Sequence, residues 1–381
     1  MAARFRAVLL ALLALALLTH CAPAPAWEVT LINAEGREQQ LTRATLEALA
    51  DFADENGDLP LDRLLYESGY RVIETVAVTT TDGATHTFAW DAAADGAVWH
   101  DDGTLTVAGQ SLAPERISAT PDPLLEAVTV SITDIPVTAA AALGVRAPAA
   151  ASGRVLTTTR ASHVALIFLD GFGYVRYTEA RAAGLIPHLE ALGAPALGLT
   201  VYPPSTVVAS AAVLTGAPPE VNGVTRRGFR TTETETLFDV VAAAGHEIVA
   251  VEGEALAFNL RQAALLLSGD RDGDGRTDDN VLQNALGVIE AEMPPLLWVH
   301  FHGIDDTGHT YGPGAPEEAV LIAYVDAAVG EILAALPNDT LVIIFADHGM
   351  HAVAEAGRQG NHGQLIARDM FVPVWVYGMG E

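Results

Sequence analysis

Cysteine is almost missing from this chain of 381 residues. Cys21 is the only one, so no intramolecular disulfide can form and the fold must stand on its packed core. Positive charge is scarce too. Twenty Lys plus Arg against 48 Asp plus Glu leave a formal net charge of −28, and a field of that sign repels nucleic-acid polymers and anionic membranes unless a local basic patch or bound dications reverse it. The apolar run near the start, residues 7–18, is short of the roughly 20 residues a spanning helix needs. No internal repeat is evident.

Half of the residues are apolar, which argues against global disorder and leaves room for a large core and more than one domain. The first residues differ in kind. Arg4 and Arg6 precede the apolar run, and Ala24-Pro25-Ala26 supplies the small-x-small pattern that a signal peptidase accepts. Residues 1–26 therefore read as a secretory signal peptide, and an extracytoplasmic destination follows. The position of Cys21 resembles a bacterial lipoprotein attachment site, which would tether the protein to a membrane. His20 departs from that pattern, because the residue before the lipidated cysteine is normally small, so plain secretion stands beside the lipoprotein reading.

Residues 27–136 hold one helical segment (43–56) among short alternating strands at 71–79, 85–90 and 104–107, with hairpin signals at Asp82-Gly83 and Asp102-Gly103. They predict a small α+β or mainly β domain. This stretch is faintly similar to the small molybdopterin-binding domain of sulfite-oxidase-type proteins; with no cysteine to ligate molybdenum, the similarity implies a structural or binding module without a cofactor. Residues 137–162, rich in alanine with scattered Pro, Gly and Thr, read as a linker. From 163 onward the pattern changes. The runs HVALIFLD (163–170), LLWVHF (296–301) and LVIIFAD (341–347) are continuous and apolar, as buried parallel strands are. They alternate with helical periodicity at 179–192, 235–244, 280–292 and 317–336, so residues 163–381 are expected to form an α/β domain, a mostly parallel sheet flanked by helices.

Ligands of open α/β sheets collect beyond the carboxyl ends of the strands, and that is where the acidic and imidazole side chains cluster. Asp170 closes the first run and precedes Gly171 and Gly173, which allow close approach of a ligand. Tyr202-Pro203-Pro204 halts a strand, and Ser205 or Thr206 opens a helix, either as a simple cap or as a nucleophile facing free N–H groups. In HFHGIDDTGHTYGP, Asp305 and His309 are placed by a tight loop at Gly308 to face one ion, with Asp306 an adjacent acidic alternative. His300 and His302 read as strand residues or supporting partners. Asp347 and His348 leave the third run together, His351 follows, and His362 lies between Gly360 and Gly363 in a glycine-flanked loop.

This pattern resembles the alkaline phosphatase superfamily, most closely its nucleotide pyrophosphatase/phosphodiesterase and phosphonoacetate hydrolase branch, over roughly residues 162–381. Asp170 in D-G-x-x, T-G-A-P-P-E-V-N-G-V from Thr215, D-x-x-G-H-x-Y-G-P from Asp305, and D-H-G-M at Asp347 carry the likeness. The resemblance implies a nucleophile at Thr206, ten residues before Gly216. It implies one metal held by Asp305, His309 and His362, and another held by Asp170, Asp347 and His348 with Thr206 leaning on it. Two divalent metals, zinc first and manganese or iron as alternatives, would then serve a two-step displacement through a phosphothreonine. Ala209 departs from the branch, which usually has an asparagine three residues after the nucleophile; Asn222, Arg226 and Arg227 lie nearby in sequence as replacements. No C/S-x-P-x-R occurs near Thr206, which disfavours a sulfatase.

Asp270, Asp272, Asp274, Arg276 (through its carbonyl) and Asp278 are spaced like an EF-hand loop with Gly275 at the turn, so calcium is a further expected ion; Val281 stands where a glutamate would close the loop. The resulting expectation is an exported two-metal phosphoesterase acting on a small phosphate ester. A phosphonate or phosphomonoester hydrolase is the alternative within the family, and a calcium-stabilised surface binding protein on a lapsed hydrolase scaffold is the alternative outside it. Nothing in the sequence sets an oligomeric state.

Overall fold

The computed structural model describes residues 27–54, 56–271, 273, 275–355 and 357–379. The expected signal peptide and Cys21 lie outside the described residues. The chain divides into two compact units, one running to Gly69 and resuming over Val76–Ala119, the other made of Tyr70–Thr75 and everything from Thr120.

The smaller unit is β-rich, as its turn-punctuated alternation predicts. A five-stranded sheet places Glu28–Ile32 between Glu38–Thr42, to which it is antiparallel, and Pro114–Pro121; a four-stranded sheet contains Leu105–Val107. The helix expected over 43–56 is shorter. It spans Arg43–Ala48, breaks at Leu49 and resumes as a 3-10 turn, Ala50–Phe52, because only Leu46 of that helix is buried and little packing holds a longer one.

The larger unit is built on eight strands, β1 (Val130–Ser131), β2 (His163–Leu169), β3 (Ala196–Leu199), β4 (Ile248–Glu252), β5 (Ala264–Leu267), β6 (Leu296–Phe301), β7 (Thr340–Phe345) and β8 (Phe371–Gly378). Their order across the sheet is β1-β3-β8-β7-β2-β6-β4-β5, and β8 alone runs against its neighbours. The three runs predicted as parallel strands are β2, β6 and β7, side by side at the centre. Their side chains are almost wholly buried, which is why they read as continuous apolar runs and not as alternating ones. Helices Thr206–Thr215 (α1), Asp278–Glu292 (α2), Gly303–Tyr311 (α3) and Pro316–Ala335 (α4) matter for the site.

Two expectations need correction. The periodicity at 179–192 belongs to two helices, Tyr174–Ala182 and Pro187–Ala191, because Pro187 lacks the N–H that a continuous helix requires and opens the second one instead. Part of the stretch read as a linker, 137–162, lies in a buried helix, Asp134–Ala142; its alanines are core residues whose small side chains permit close packing, not spacer residues. Among the described residues no helix is long and apolar enough to cross a membrane.

Ile343 lies mid-strand in β7 with no exposed surface. Ile343→Ala is expected to cost about 2–5 kcal/mol, the usual penalty for an aliphatic cavity. A urea titration should show this as a lower midpoint with an unchanged slope for the larger unit.

Candidate metal centre

Strand register brings the site together. Leu169 pairs with Phe301 and Phe168 with Phe345, so one step beyond the strand Asp170 lies level with the start of the β6 exit and with Asp347. Gly171 turns the chain with φ +72°, and a Cβ there would stand 3.0 Å from the Cα and Oδ1 of Asp305. The glycine therefore admits the protein's own α3, not a ligand, to the crevice. Its N–H donates to Asp347 Oδ1 at 3.1 Å.

Asp305 and His309 belong to helix α3, which corrects the expected loop at Gly308. One helical turn separates them, so both face the crevice, and His309 Nε2 lies 3.1 Å from Asp305 Oδ2. His348 Nε2 is 3.1 Å from Asp347 Oδ2 and 3.6 Å from Asp170 Oδ1, and His362 Nε2 is 3.8 Å from Asp305 Oδ1. Two groups with metal-ligating geometry result, Asp170-Asp347-His348 and Asp305-His348-His362, with His348 common to both. Thr206 is the first residue of α1 behind Ser205. Its hydroxyl lies 3.4 Å from Asp170 Oδ1 and 3.2 Å from His348 Nε2, whereas Ser205 Oγ is buried and makes no hydrogen bond within the described residues.

The imidazoles are held in one orientation. Nδ1 of His309 is 2.8 Å from Gly360 O, that of His348 2.9 Å from Gly349 O, and that of His362 2.9 Å from Pro204 O. A carbonyl oxygen only accepts, so Nδ1 of His348 and of His362 carries a proton and Nε2 faces the crevice, the arrangement metal-binding histidines adopt, while Nδ1 of His309 is shared between Gly360 O and the Arg358 guanidinium. Asp305 Oδ1, Asp347 Oδ2 and His362 Nε2 are buried without a hydrogen-bond partner among the described residues. Buried polar atoms are rarely left so, and a cation fits them.

The electrostatics agree. Burial and the charge of Asp170 push Asp347 up to about 7. Burial works against a charged His348, yet the carboxylates of Asp347, Asp305 and Asp170 outweigh it and push that imidazole up to about 9. His362 is held down to about 3 by burial and by the charge of His348.

Some residues at the site gave little sequence signal. Glu252, the last residue of β4, accepts bonds from Trp298 Nε1 (2.8 Å), His300 Nδ1 (2.9 Å) and His302 Nε2 (3.0 Å). The run ending at Glu252 is an apolar strand closed by a carboxylate, the same signature as Asp170, and could have been read that way. Arg358, at the start of the strand Arg358–Asn361, has Nη2 2.9 and 3.0 Å from the two nitrogens of His309, and its Nε donates to Gly360 O at 2.9 Å. His351 is not at the centre but pairs with the buried Asp369 at 2.9 Å, and Asp306 is exposed on α3.

Other expected residues lie elsewhere. Ala209 is buried within α1, and Asn222 is spent on its own turn, its amide donating to Ala217 O (2.9 Å) and its oxygen accepting from Val224 N (2.8 Å). The Arg226 guanidinium covers the Phe229 ring at 4.5 Å. Of the expected calcium loop, Asp272 and Asp274 lie outside the described residues, and Asp270 accepts from Gly273 N (2.7 Å) and Gly275 N (2.9 Å). Asp278 is buried at the start of α2 and accepts from the amides of His302 and Gly303, both at 3.1 Å, so it caps the amino end of α3 and is lost to the loop's ligand set.

The arrangement defines a class, an open α/β protein with Asp and His groups able to hold metal beyond its central strands. Residues 260–372, which carry Asp305, His309, Asp347, His348 and His362, match the model of the type I phosphodiesterase / nucleotide pyrophosphatase family. Asp170 and Thr206 precede the match. Among curated relatives, the catalytic subunit of GPI ethanolamine phosphate transferase 3 of Homo sapiens is 31% identical over 100 residues, 26% of this chain and 9% of its own length. An uncharacterised pyrophosphatase/phosphodiesterase of Schizosaccharomyces pombe is 31% identical over 70 residues, 17% of this chain and 14% of its own. The chain thus spans a small part of the curated relatives it matches. Solved structures with some likeness include phosphonoacetate hydrolase from Sinorhizobium meliloti (18% identity, 54% of this chain and 60% of that one, TM-score 0.42). Murine ectonucleotide pyrophosphatase/phosphodiesterase 5 is another (15% identity, 57% and 88%, TM-score 0.46).

Stripped of cations, the centre should respond to pH in one direction only above the ordinary pKa of His362. Asp347 keeps its proton to about 7 when folded against 3.8 for a free side chain, and His348 to about 9 against 6.5. From about 4 to 6.5 the extra proton on Asp347 is offset by the one that His362, held down to about 3, gives up on folding, so the net excess of protons on the folded chain, and the fall in stability as pH rises, is confined to about 6.5 to 9. Urea midpoints of chelator-treated protein should decline over this range, and added zinc should flatten the slope; a midpoint that rises with pH would contradict the assignment.

Proposed function

We propose that the protein is an exported two-metal phosphoesterase that hydrolyses small phosphate esters through a phosphothreonine on Thr206. The observation that carries the reading is the common orientation of His309, His348 and His362, each fixed through Nδ1 to a main-chain carbonyl with Nε2 turned towards buried carboxylates. One ligand set is Asp305, His309 and His362, and the other is Asp170, Asp347 and His348. Divalent cations held there, zinc foremost and manganese or iron otherwise, supply the positive charge that offsets the phosphoryl group and lowers the pKa of a nearby hydroxyl.

The side chains of this chain do the rest. Thr206 presents its Oγ1 beside Asp170 and His348 at the amino end of α1, whose free N–H groups and dipole favour an anionic phosphoryl oxygen. Oγ1 loses its proton and bonds to phosphorus while the bond from phosphorus to the departing ester oxygen breaks. Water then attacks the phosphothreonine, the bond to Oγ1 breaks, and Thr206 recovers a proton as the phosphate product leaves. Burial of the centre keeps these charges in a medium where they interact strongly. The family match and the names of the curated relatives, which describe phosphodiester, pyrophosphate and phosphoethanolamine chemistry, support the reaction class.

The ester is the open variable. Ala209 offers no hydrogen bond to a non-bridging oxygen, and Asn222 is already engaged, so a phosphomonoester or phosphonate stands as the second reading beside a diester. Turnover of bis-nitrophenyl phosphate, nitrophenyl phosphate and phosphonoacetate, measured side by side, separates the three. Thr206→Ala is expected to lower kcat by roughly a thousandfold or more while metal content and thermal melt stay unchanged. Turnover surviving that change would remove Thr206 as the nucleophile.

A further inference from the structure

A second imidazole pair faces Asp170 from the other side, and the function above makes no use of it. The two oxygens of Asp170 point to different partners. Oδ1 looks to Thr206 and His348, whereas Oδ2 lies 3.2 Å from His300 Nε2 and 3.5 Å from His302 Nδ1. The opposite nitrogens of the same two rings both reach Glu252 Oε2, at 2.9 and 3.0 Å, and Glu252 Oε1 is held by Trp298. The rings lie together with centroids 3.6 Å apart. Asp170, Glu252 and His300 are buried, and the His302 side chain is 18% exposed.

The geometry points to a third cation site, formed by Asp170 Oδ2, His300 Nε2 and His302 Nδ1, with Asp170 bridging it to the Asp347-His348 group. Three features fit a transition-metal ion such as zinc. The two separations from Oδ2 match the edge of a tetrahedron, about 3.3 Å for metal bonds of about 2.0–2.1 Å. Glu252 would accept the remaining N–H of both rings, the outer carboxylate that fixes tautomer and orientation for metal-bound histidine. A cavity of about 290 Å³, lined by Glu254, Arg276, Thr277, His302 and Asp306 among others, opens onto His302 and gives a path for the ion and for a water as fourth ligand. The chain also reserves room for the ring, since a Cβ on Gly253 would lie 2.8 Å from Thr277 Oγ1 and 3.0 Å from His302 Cδ2.

This inference adds to the two-metal reading and shares Asp170 with it, so its test counts ions and does not rely on activity. Full-length protein is loaded with zinc in calcium-free buffer, dialysed and analysed for metal per chain. Wild type should hold three ions and His302→Gln two, with unchanged circular dichroism. Glu252→Gln keeps the shape of the outer partner and removes its charge; it should weaken the third ion by about 10–100-fold in a zinc titration and leave the other two in place. Two ions in both wild type and His302→Gln, with no weakened step in Glu252→Gln, would overturn the third site and leave the two-metal reading intact. A wild type without bound zinc would overturn both.

Discussion

Three carboxylates, Asp170, Asp305 and Asp347, end in one buried crevice, and negative charge withdrawn from water at that density must be compensated on the spot. The larger unit is arranged around this constraint. Imidazoles stand on every side of the group, and each has its outer nitrogen committed to a carbonyl or a carboxylate. The result is a set of inward lone pairs and carboxylate oxygens with too few protons to neutralise one another. The upward shifts of Asp347 and His348 express the same deficit, since both groups hold protons that an isolated side chain would release.

The central strands explain how such a crevice is kept rigid. β2, β6 and β7 are paired in parallel and buried, so their ends lie at one level and their exits cannot drift apart without breaking the ladder. The first residues beyond those ends are then held to within the tolerance a ligand set requires. Asp170 owes its place to β2, Asp347 to β7, and Asp305 to the first turn of α3, itself anchored by Asp278 at its amino end. Stability of the sheet and geometry of the site are thus one problem, whereas Thr206 is placed by a separate and wholly buried element, α1.

How much of this was legible in the sequence follows from what each feature depends on. Strand ends with carboxylates were readable because burial on both faces leaves an uninterrupted apolar run, and the run breaks where the chain meets the crevice. The local shape of the Asp305 segment was not. Six polar or glycine residues in succession look like a loop, yet i,i+4 spacing on a helix serves the same pair, and Asp278, a capping group 27 positions before Asp305, tips the balance towards helix. Glu252 was overlooked for a different reason. Its partners are imidazoles on the neighbouring strand, and only the register of β4 against β6 reveals that they meet. The alanine-rich stretch before β2 misled because small residues serve linkers and tight helix packing alike; burial decides, and burial is set by distant residues.

Specificity is the least legible part, and α1 shows why. Every residue of that helix is buried and most are apolar, so beyond Thr206 it can offer a substrate little except its amino end. With Ala209 on the first turn of that helix, no side chain there offers a hydrogen bond to a non-bridging oxygen, and any such contact has to come from another segment. The strand Arg358–Asn361, which leads into His362, sets a guanidinium against His309, with Nη2 2.9 and 3.0 Å from its two nitrogens and Nε 2.9 Å from Gly360 O. Arg226, close to Thr206 in the chain and expected as a replacement for the polar contact missing at Ala209, is turned instead onto the Phe229 ring at 4.5 Å. The guanidinium that the fold does bring to the centre, that of Arg358, lies some 150 positions after Thr206 and was invisible to any reading of near neighbours in the chain.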